Sequence, residues 1–463
     1  MIIRYLDYVE RLEFELIQSH DEGLDVSRER QLYADIQEKM KNTSAENLQD
    51  EAKQVLQDLA SRPLPAELVT NEPGQLADLR HTLRFVENKS LVSSAPNSKS
   101  IYDSILGGWL GRAGGCLLGK PIERYHRTII REMLESNHEW PLDNYFTQKD
   151  MPEDLLQKYP WKRRWGFESL RENIQCMPED DDLNYTMLNL HVMESHGSAF
   201  SSEDIGNAWM KKLPVFEVFT AERIGYQNLL NGYSPPQSAT LMNPFREWIG
   251  AQIRADLWGY VCPGDPRKAA EYAWRDARIT HVRTGIYGEM FFAAVIAAAF
   301  VEKDIRKLMR LGLEQVPPES RLSKAINFVL ELPIENQPWE DVLDQLYKAF
   351  GHYHWVHTIN NAALTVASLI HGAGDYEKTI TNAVMGGWDT DCNGATSGSI
   401  IGVLRGAEAL PAKWIDPLQN RVRSSLGGFD NSSFTDLAQR TQKIAQTIKS
   451  ENGDGALAET DDF

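Results

Sequence analysis

Met290-Phe291-Phe292-Ala293-Ala294-Val295-Ile296-Ala297-Ala298-Ala299-Phe300 is apolar on every side at helical spacing, so a helix here has no face to offer to water and must be buried at a centre. Asn361 to Ile370 (NAALTVASLI) has the same character. Runs of alternating, β-branched residues bounded by turn signals are few, which predicts an all-α fold with scarce strands. At 463 residues with 42% hydrophobic content, the chain is long enough for one large domain plus an extension. Residues 1–95 read as a helical N-terminal extension, with Leu32, Ile36 and Met40, then Leu48, Ala52 and Leu56 beside Val55 and Leu59, recurring on polar helices. Thr43-Ser44-Ala45-Glu46 is a plausible helix start. Ser90 to Ser100 (SLVSSAPNSKS) reads as a linker. Residues 96–448 form the main domain, and 449–463 are expected to be a disordered acidic tail.

Charge narrows the partners. The 48 Lys and Arg against 66 Asp and Glu leave a net −18. That argues against nucleic acid, which is bound by neutralising phosphates, and against an anionic membrane surface. No apolar run is long enough to span a bilayer, and the first residues turn acidic at once, without a signal-peptide core. The four cysteines (Cys116, Cys176, Cys262, Cys392) include no CxxC pair, so neither a disulfide framework nor a zinc ribbon is indicated. A cytoplasmic protein fits best.

Two acidic clusters carry the chemistry. Glu179-Asp180-Asp181-Asp182 stands directly ahead of a helix-like run, and Asp389-Thr390-Asp391 lies between Gly386-Gly387 and a small-residue apolar segment. Asp389-x-Asp391-x-Asn393-Gly394 matches the first half of a calcium loop, but the twelfth position, where a bidentate Glu is needed, is Ile400. Oxygen donors of this kind select hard ions such as Mg, Mn or Ca. The plain alternative for the first cluster is a solvated loop whose acids stabilise a helix N-terminus. A third landmark is Gly111 to Glu123 (GRAGGCLLGKPIE). Its glycines permit close approach of backbones, and Pro121 ends the helix and puts Glu123 on the loop beyond. It is not a P-loop, since Pro121 follows Lys120.

In this combination and order the chain resembles the ADP-ribosylglycohydrolase family. Gly111 to Glu123 is similar to the family's opening GxAxGDxLGxPxE helix, and Glu179 to Asp182 to its TDDT motif. Ile249 to Arg254 (IGAQIR) resembles an NGxxMR segment, Thr280-His281 a TH pair, and Gly386 to Cys392 (GGWDTDC) the closing GGDTDT motif. These landmarks cover about 100 to 425 and leave residues 1–95 outside. The resemblance implies an orthogonal helical bundle around two Mg2+ or Mn2+ ions. It implies metal binding by Glu179, Asp180 and Asp181 from one side and by Asp389, Asp391 and Cys392 from the other. Glu123 would fix the substrate ribose, and Asp180 or Asp181 would receive a proton from the attacking water. Arg254 and His281 would face the rest of the substrate. The partner implied is an ADP-ribosylated protein or a ribosylated small molecule. The chain departs from the pattern at Glu179 and Asp182 (usually Thr), Cys392 (Thr), Cys116 (Asp), Ile249 (Asn) and the inserted Trp388. These changes keep open a simpler N-ribosyl substrate, and a non-catalytic, crystallin-like member stands as the reading from another class.

Other residues read less distinctly. His352, His354 and His357 fit no common helical zinc spacing. His357, Asn360 and Asn361 read as a pocket wall or as a helix cap with buried hydrogen bonds. Trp388 reads as a base-stacking face or as core packing. Arg246-Glu247 reads as an internal ion pair, and the N-terminal helices as a docking module or a cap.

Overall fold

The computed structural model describes residues 4–82, 98–161 and 163–454. Most of the expected linker (90–97) and residues 455–463 lie outside them. Among the described residues the architecture is all-α, and the only ladder joins Arg421–Val422 to Ser432–Ser433 in antiparallel register. No helix is long and apolar enough to cross a membrane. The C-terminal helix, Phe434–Asp454, runs into the stretch expected to be tail.

In the extension, α1 (Tyr8–Asp21) is capped by Asp7, whose side chain accepts from the amides of Val9 and Glu10. It packs with helices Ser27–Met40 and Gln49–Ala60 around a small core of its own that includes Leu12, Leu16, Ile36 and Leu56. Met40, expected on the apolar face, is exposed. Ser44 opens a 3-10 turn, and the following helix begins only at Gln49.

The bundle is organised by one close helix pair. α2 (Ser98–Gly119) presents Gly107, Gly111, Gly115 and Gly119, one residue per turn, and these meet Gly402, Gly398, Gly394 and Thr390 in reverse order. A Cβ at Gly111 would stand 2.2 Å from the Gly398 carbonyl oxygen, and one at Gly115 would stand 2.0 Å from that of Gly394. Only glycine allows such backbone contact. The antiparallel match brings the C-terminal end of α2, with Lys120 and Glu123 just beyond, against the Asp389–Cys392 end of the opposing helix. Three further helices complete the setting: α3 (Asp181–His196), α4 (Arg283–Ala299) and α5 (Thr358–Gly372). The opposing glycine helix is α6 (Thr390–Arg405). The Met290–Phe300 run lies on α4 and is buried throughout, as its all-round apolarity requires.

Candidate active site

A cavity of about 360 Å³ is lined by Glu179, Asp180 and Asp181, which lead into α3, and by Asp389, Asp391 and Cys392, which open α6. Lys120 and Glu123, just past α2, line it as well. Acids some two hundred residues apart in sequence thus share one space. One donor atom each of Asp389, Asp391 and Cys392 lies within 4.8 Å of the others, and the same holds for Cys116, Asp180 and Asp182.

Local structure fixes each acid. Asp180 is the N-cap of α3, its Oδ1 accepting from the Asp182 amide at 2.9 Å. Its Oδ2 accepts from the Lys120 ammonium in a buried ion pair. Asp182 turns the other way: Arg112 on α2 donates to its Oδ1 at 2.7 Å and to its carbonyl at 2.9 Å, and also to Asp256 at 2.6 Å. Arg112 is thus shared between Asp182 and Asp256, and burial still pushes the Asp182 carboxyl well above its usual range against the pull of Arg112. Glu179 Oε1 accepts from Asn184 at 2.7 Å and from Ser425 at 3.1 Å. On the other side, Gly387 and Trp388 take left-handed backbone angles (φ 77° and 59°), which turn the chain into Asp389. The Asp389 amide donates to Asn361 Oδ1 at 3.2 Å, and Asn393 donates to the same oxygen at 2.8 Å.

The electrostatics describe acids short of cations. Burial, then Asp180, Asp182 and Asp391, push the Asp181 carboxyl well above its usual range. Burial and Asp391 do the same to Asp389. Asp391 is pushed up to about 7 by burial, Glu123 and Asp180. Asp180 alone is held low: burial works against its charge, but the Lys120 ammonium outweighs it. Buried like charges cost several kcal/mol unless protons or cations relieve them. The carboxylates of Asp389 and Asp391, which lie together, are donors of the kind a hard divalent cation takes. Cys392 Sγ belongs to the cluster, yet burial and Asp182 push its thiol up, so it offers a neutral, soft donor. On the other side, Lys120 already occupies Asp180.

Apart from Glu123, the residues expected to face substrate are not among those that line the cavity. Arg254 is fully buried, bonded to Asp276 at 3.0 Å and Glu222 at 2.9 Å, and this internal network turns it away from the cavity. His281 is also fully buried, with Nδ1 against Thr280 Oγ1 at 2.8 Å, and burial and Arg254 keep it neutral. Asn360 and Asn361 do not line the cavity. They donate to the His354 carbonyl (3.3 Å) and to the Trp355 and His357 carbonyls (2.8 Å each), holding the loop ahead of α5. Trp388 stacks on Tyr347 with ring centres 4.4 Å apart and packs in the core. Arg246 and Glu247 do not pair with each other: Arg246 takes Glu15 and Glu22, and Glu247 takes Arg283 and Arg321. His357 caps α5 through its ring nitrogen, and among the described residues no histidine belongs to a metal-competent group.

The cavity also has lining residues that the sequence did not announce. They include Arg4, Tyr5 and Phe14 from the extension, with Trp248, His354, Trp355 and Arg124 from the bundle. Arg4, Tyr5 and Phe14 stand in no motif, while Arg124 and Trp248 only adjoin residues that were singled out, so their spacing alone signals no site.

Residues 97–451 match the sequence profile of the family described as ADP-ribosylglycohydrolase. The chain belongs to the ADP-ribosylglycohydrolase family. It is therefore an ADP-ribosylglycohydrolase-type hydrolase by kinship, with all the described acids of the cavity inside the matched region. Among solved structures it is similar to an "ADP-ribosylglycohydrolase-related protein complex", at 18% identity and a TM-score of 0.49, over 75% of this chain and 99% of that one. No curated protein matches.

Proposed function

We propose that this ADP-ribosylglycohydrolase relative is a metal-dependent glycohydrolase that cleaves the bond joining the ribose of ADP-ribose to a modified side chain or small molecule. The observation that carries this reading is the shared cavity of Asp180, Asp181, Asp389, Asp391 and Glu123, in which burial and neighbouring acids disfavour the charged forms of Asp181, Asp389 and Asp391. A fixed structural role would not call for such an arrangement. Asp389 and Asp391 with Asp181 would hold Mg2+ or Mn2+, and a second ion would compete with Lys120 for Asp180. A bound divalent cation supplies an orienting charge for the ribose hydroxyls and makes a coordinated water more acidic.

The chain's own residues do the rest. Glu123, half-buried at the cavity wall beside Arg124 (3.2 Å), accepts hydrogen bonds from the ribose. Positive charge builds at the anomeric carbon as the glycosidic bond breaks, and the surrounding carboxylates stabilise it. Asp180 is committed at both oxygens, to Lys120 and to the Asp182 amide. Asp181, which also lines the cavity, is therefore the better placed of the two to take the proton from water.

A screen of ADP-ribosyl-arginine and a nucleoside panel, with and without Mg2+ or Mn2+, tests this by product mass spectrometry. ADP-ribose release that requires the cation and falls at least ~100-fold in Asp391→Asn and Asp181→Asn is expected. Full activity in either variant overturns the assignment. Ribose released from nucleosides alone would move the substrate to a simpler ribosyl compound.

A further inference from the structure

Residues 4–14 precede the family-matched region, yet Arg4, Tyr5 and Phe14 line the same cavity as the acids. Their position is built rather than incidental. Tyr5 holds a left-handed backbone (φ 66°), costly for a residue with a side chain. Buried Arg11 secures it by donating to the Tyr5 carbonyl at 2.8 Å, and Glu10 accepts from its amide at 2.7 Å. Arg11 also reaches into the bundle, donating to Gln227 at 2.6 Å. Phe14 meets Trp248 edge-on (5.4 Å) and His354 edge-on (5.7 Å), while Trp248 and His354 stack on each other at 4.3 Å. Arg124 lies over Trp355 at 5.2 Å, and Arg4 over Tyr5 at 4.8 Å.

The lining of the cavity therefore has two chemistries: carboxylates, which suit a cation and sugar hydroxyls, and aromatic rings with the Arg4 and Arg124 guanidinium groups, which suit a planar base and phosphates.

We propose that Arg4, Tyr5 and Phe14 of the extension complete a subsite for the base and phosphate end of a nucleotide-linked substrate, and so make the extension part of the substrate-binding site. This rests on the glycohydrolase reading, in which the carboxylate part takes the ribose. Phe14 and Trp248 present ring surface to the base, and Arg4 with Arg124 meets the phosphate charge. In a chain of net −18, these two arginines of the lining also offset the repulsion that a polyanion would otherwise meet.

Titration calorimetry on the full chain, with ADP-ribose in the presence of Mg2+ and with Mg2+ alone, tests the subsite. Arg4→Ala and Phe14→Ala are each expected to weaken ADP-ribose binding about 10-fold or more, with Mg2+ affinity unchanged. Arg4 is exposed, so its variant keeps the test valid if Phe14→Ala unfolds. Wild-type-like ADP-ribose binding by Arg4→Ala and a folded Phe14→Ala overturns the subsite and leaves the glycohydrolase reading standing. A wild-type chain that takes up Mg2+ but no ADP-ribose overturns both.

Discussion

Lys120 decides how many cations the acids can share. Its ammonium is buried against Asp180, and although burial works against its charge, Asp180 and Cys116 hold the proton on firmly. A tethered cation there does part of the work a second metal ion would do. Lys120→Met removes it and frees one Asp180 oxygen, so the variant should bind a second divalent ion per chain, or bind one about 10-fold more tightly. Calorimetry with elemental analysis reads this directly. Unchanged stoichiometry and affinity would assign the lysine to structure alone. The carboxylates themselves were legible in the sequence, since adjacent acids need a reason to coexist. Lys120 was visible only as part of a Gly-Lys pair that Pro121 keeps from being a P-loop, because its direction depends on how α2 meets α6. Arg254 and His281 were misread for a related reason. Residue type does not say which way a side chain points, and Asp276 and Glu222, which claim Arg254, sit in parts of the sequence with no motif. Asn361 was placed one step too near the chemistry: it holds the Asp389 backbone rather than lining the cavity.

The α2–α6 pair converts glycine spacing into site geometry. The glycines of α2 were readable as a licence for close packing, and the stretch on α6 as a small-residue helix able to pack close to its neighbours, but neither names the other as its partner. Which glycine faces which is set by the reversed register and needed the structure. A methyl group at Gly115 would stand 2.0 Å from the Gly394 carbonyl oxygen, and backbone cannot yield as a side-chain tip can. Gly115→Ala should therefore destabilise the fold by at least about 3 kcal/mol. It should also weaken divalent-cation binding, because forcing α2 away from α6 displaces the end of α6 that carries Asp389 and Asp391. Urea unfolding and calorimetry measure the two effects. Gly74→Ala is the control: a Cβ there meets nothing within 4 Å, and a change within about 0.5 kcal/mol is expected. The buried helices α4 and α5 were legible because an all-round apolar run has no other home. The short strand pair was not, since two-residue strands leave no period to detect.

Charge across the seam between extension and bundle binds the molecule into one unit. Glu15 and Glu22 of the extension take Arg246 at 2.7 and 2.8 Å, and Glu22 also takes Arg283. Glu72 takes Arg321 at 2.7 Å, and that guanidinium reaches Glu247 at 2.7 Å. Four carboxylates thus share three arginines, and Asp21 beside them is a further acid. No local pattern reveals the pairs that cross the seam, whose members stand more than two hundred residues apart, so the extension read as either a docking module or a cap. The surplus acid gives the seam a pH dependence. Burial and the Glu247 charge push the Asp21 carboxyl up to about 6, against roughly 3.9 in an unfolded chain. A carboxyl raised in this way binds more protons folded than unfolded. Its cost is absent below about pH 4, grows as pH rises, and is complete above about pH 6. Asp21→Asn, which mimics the protonated form, should match the wild type at about pH 4 and exceed its stability by about 1–2 kcal/mol at about pH 8, after discounting for partial exposure. Denaturant unfolding at both pH values measures the difference. A gain that is equal at the two would assign the effect to packing, and a loss at the higher pH would mean that ionised Asp21 is held by the seam's arginines rather than left over from them.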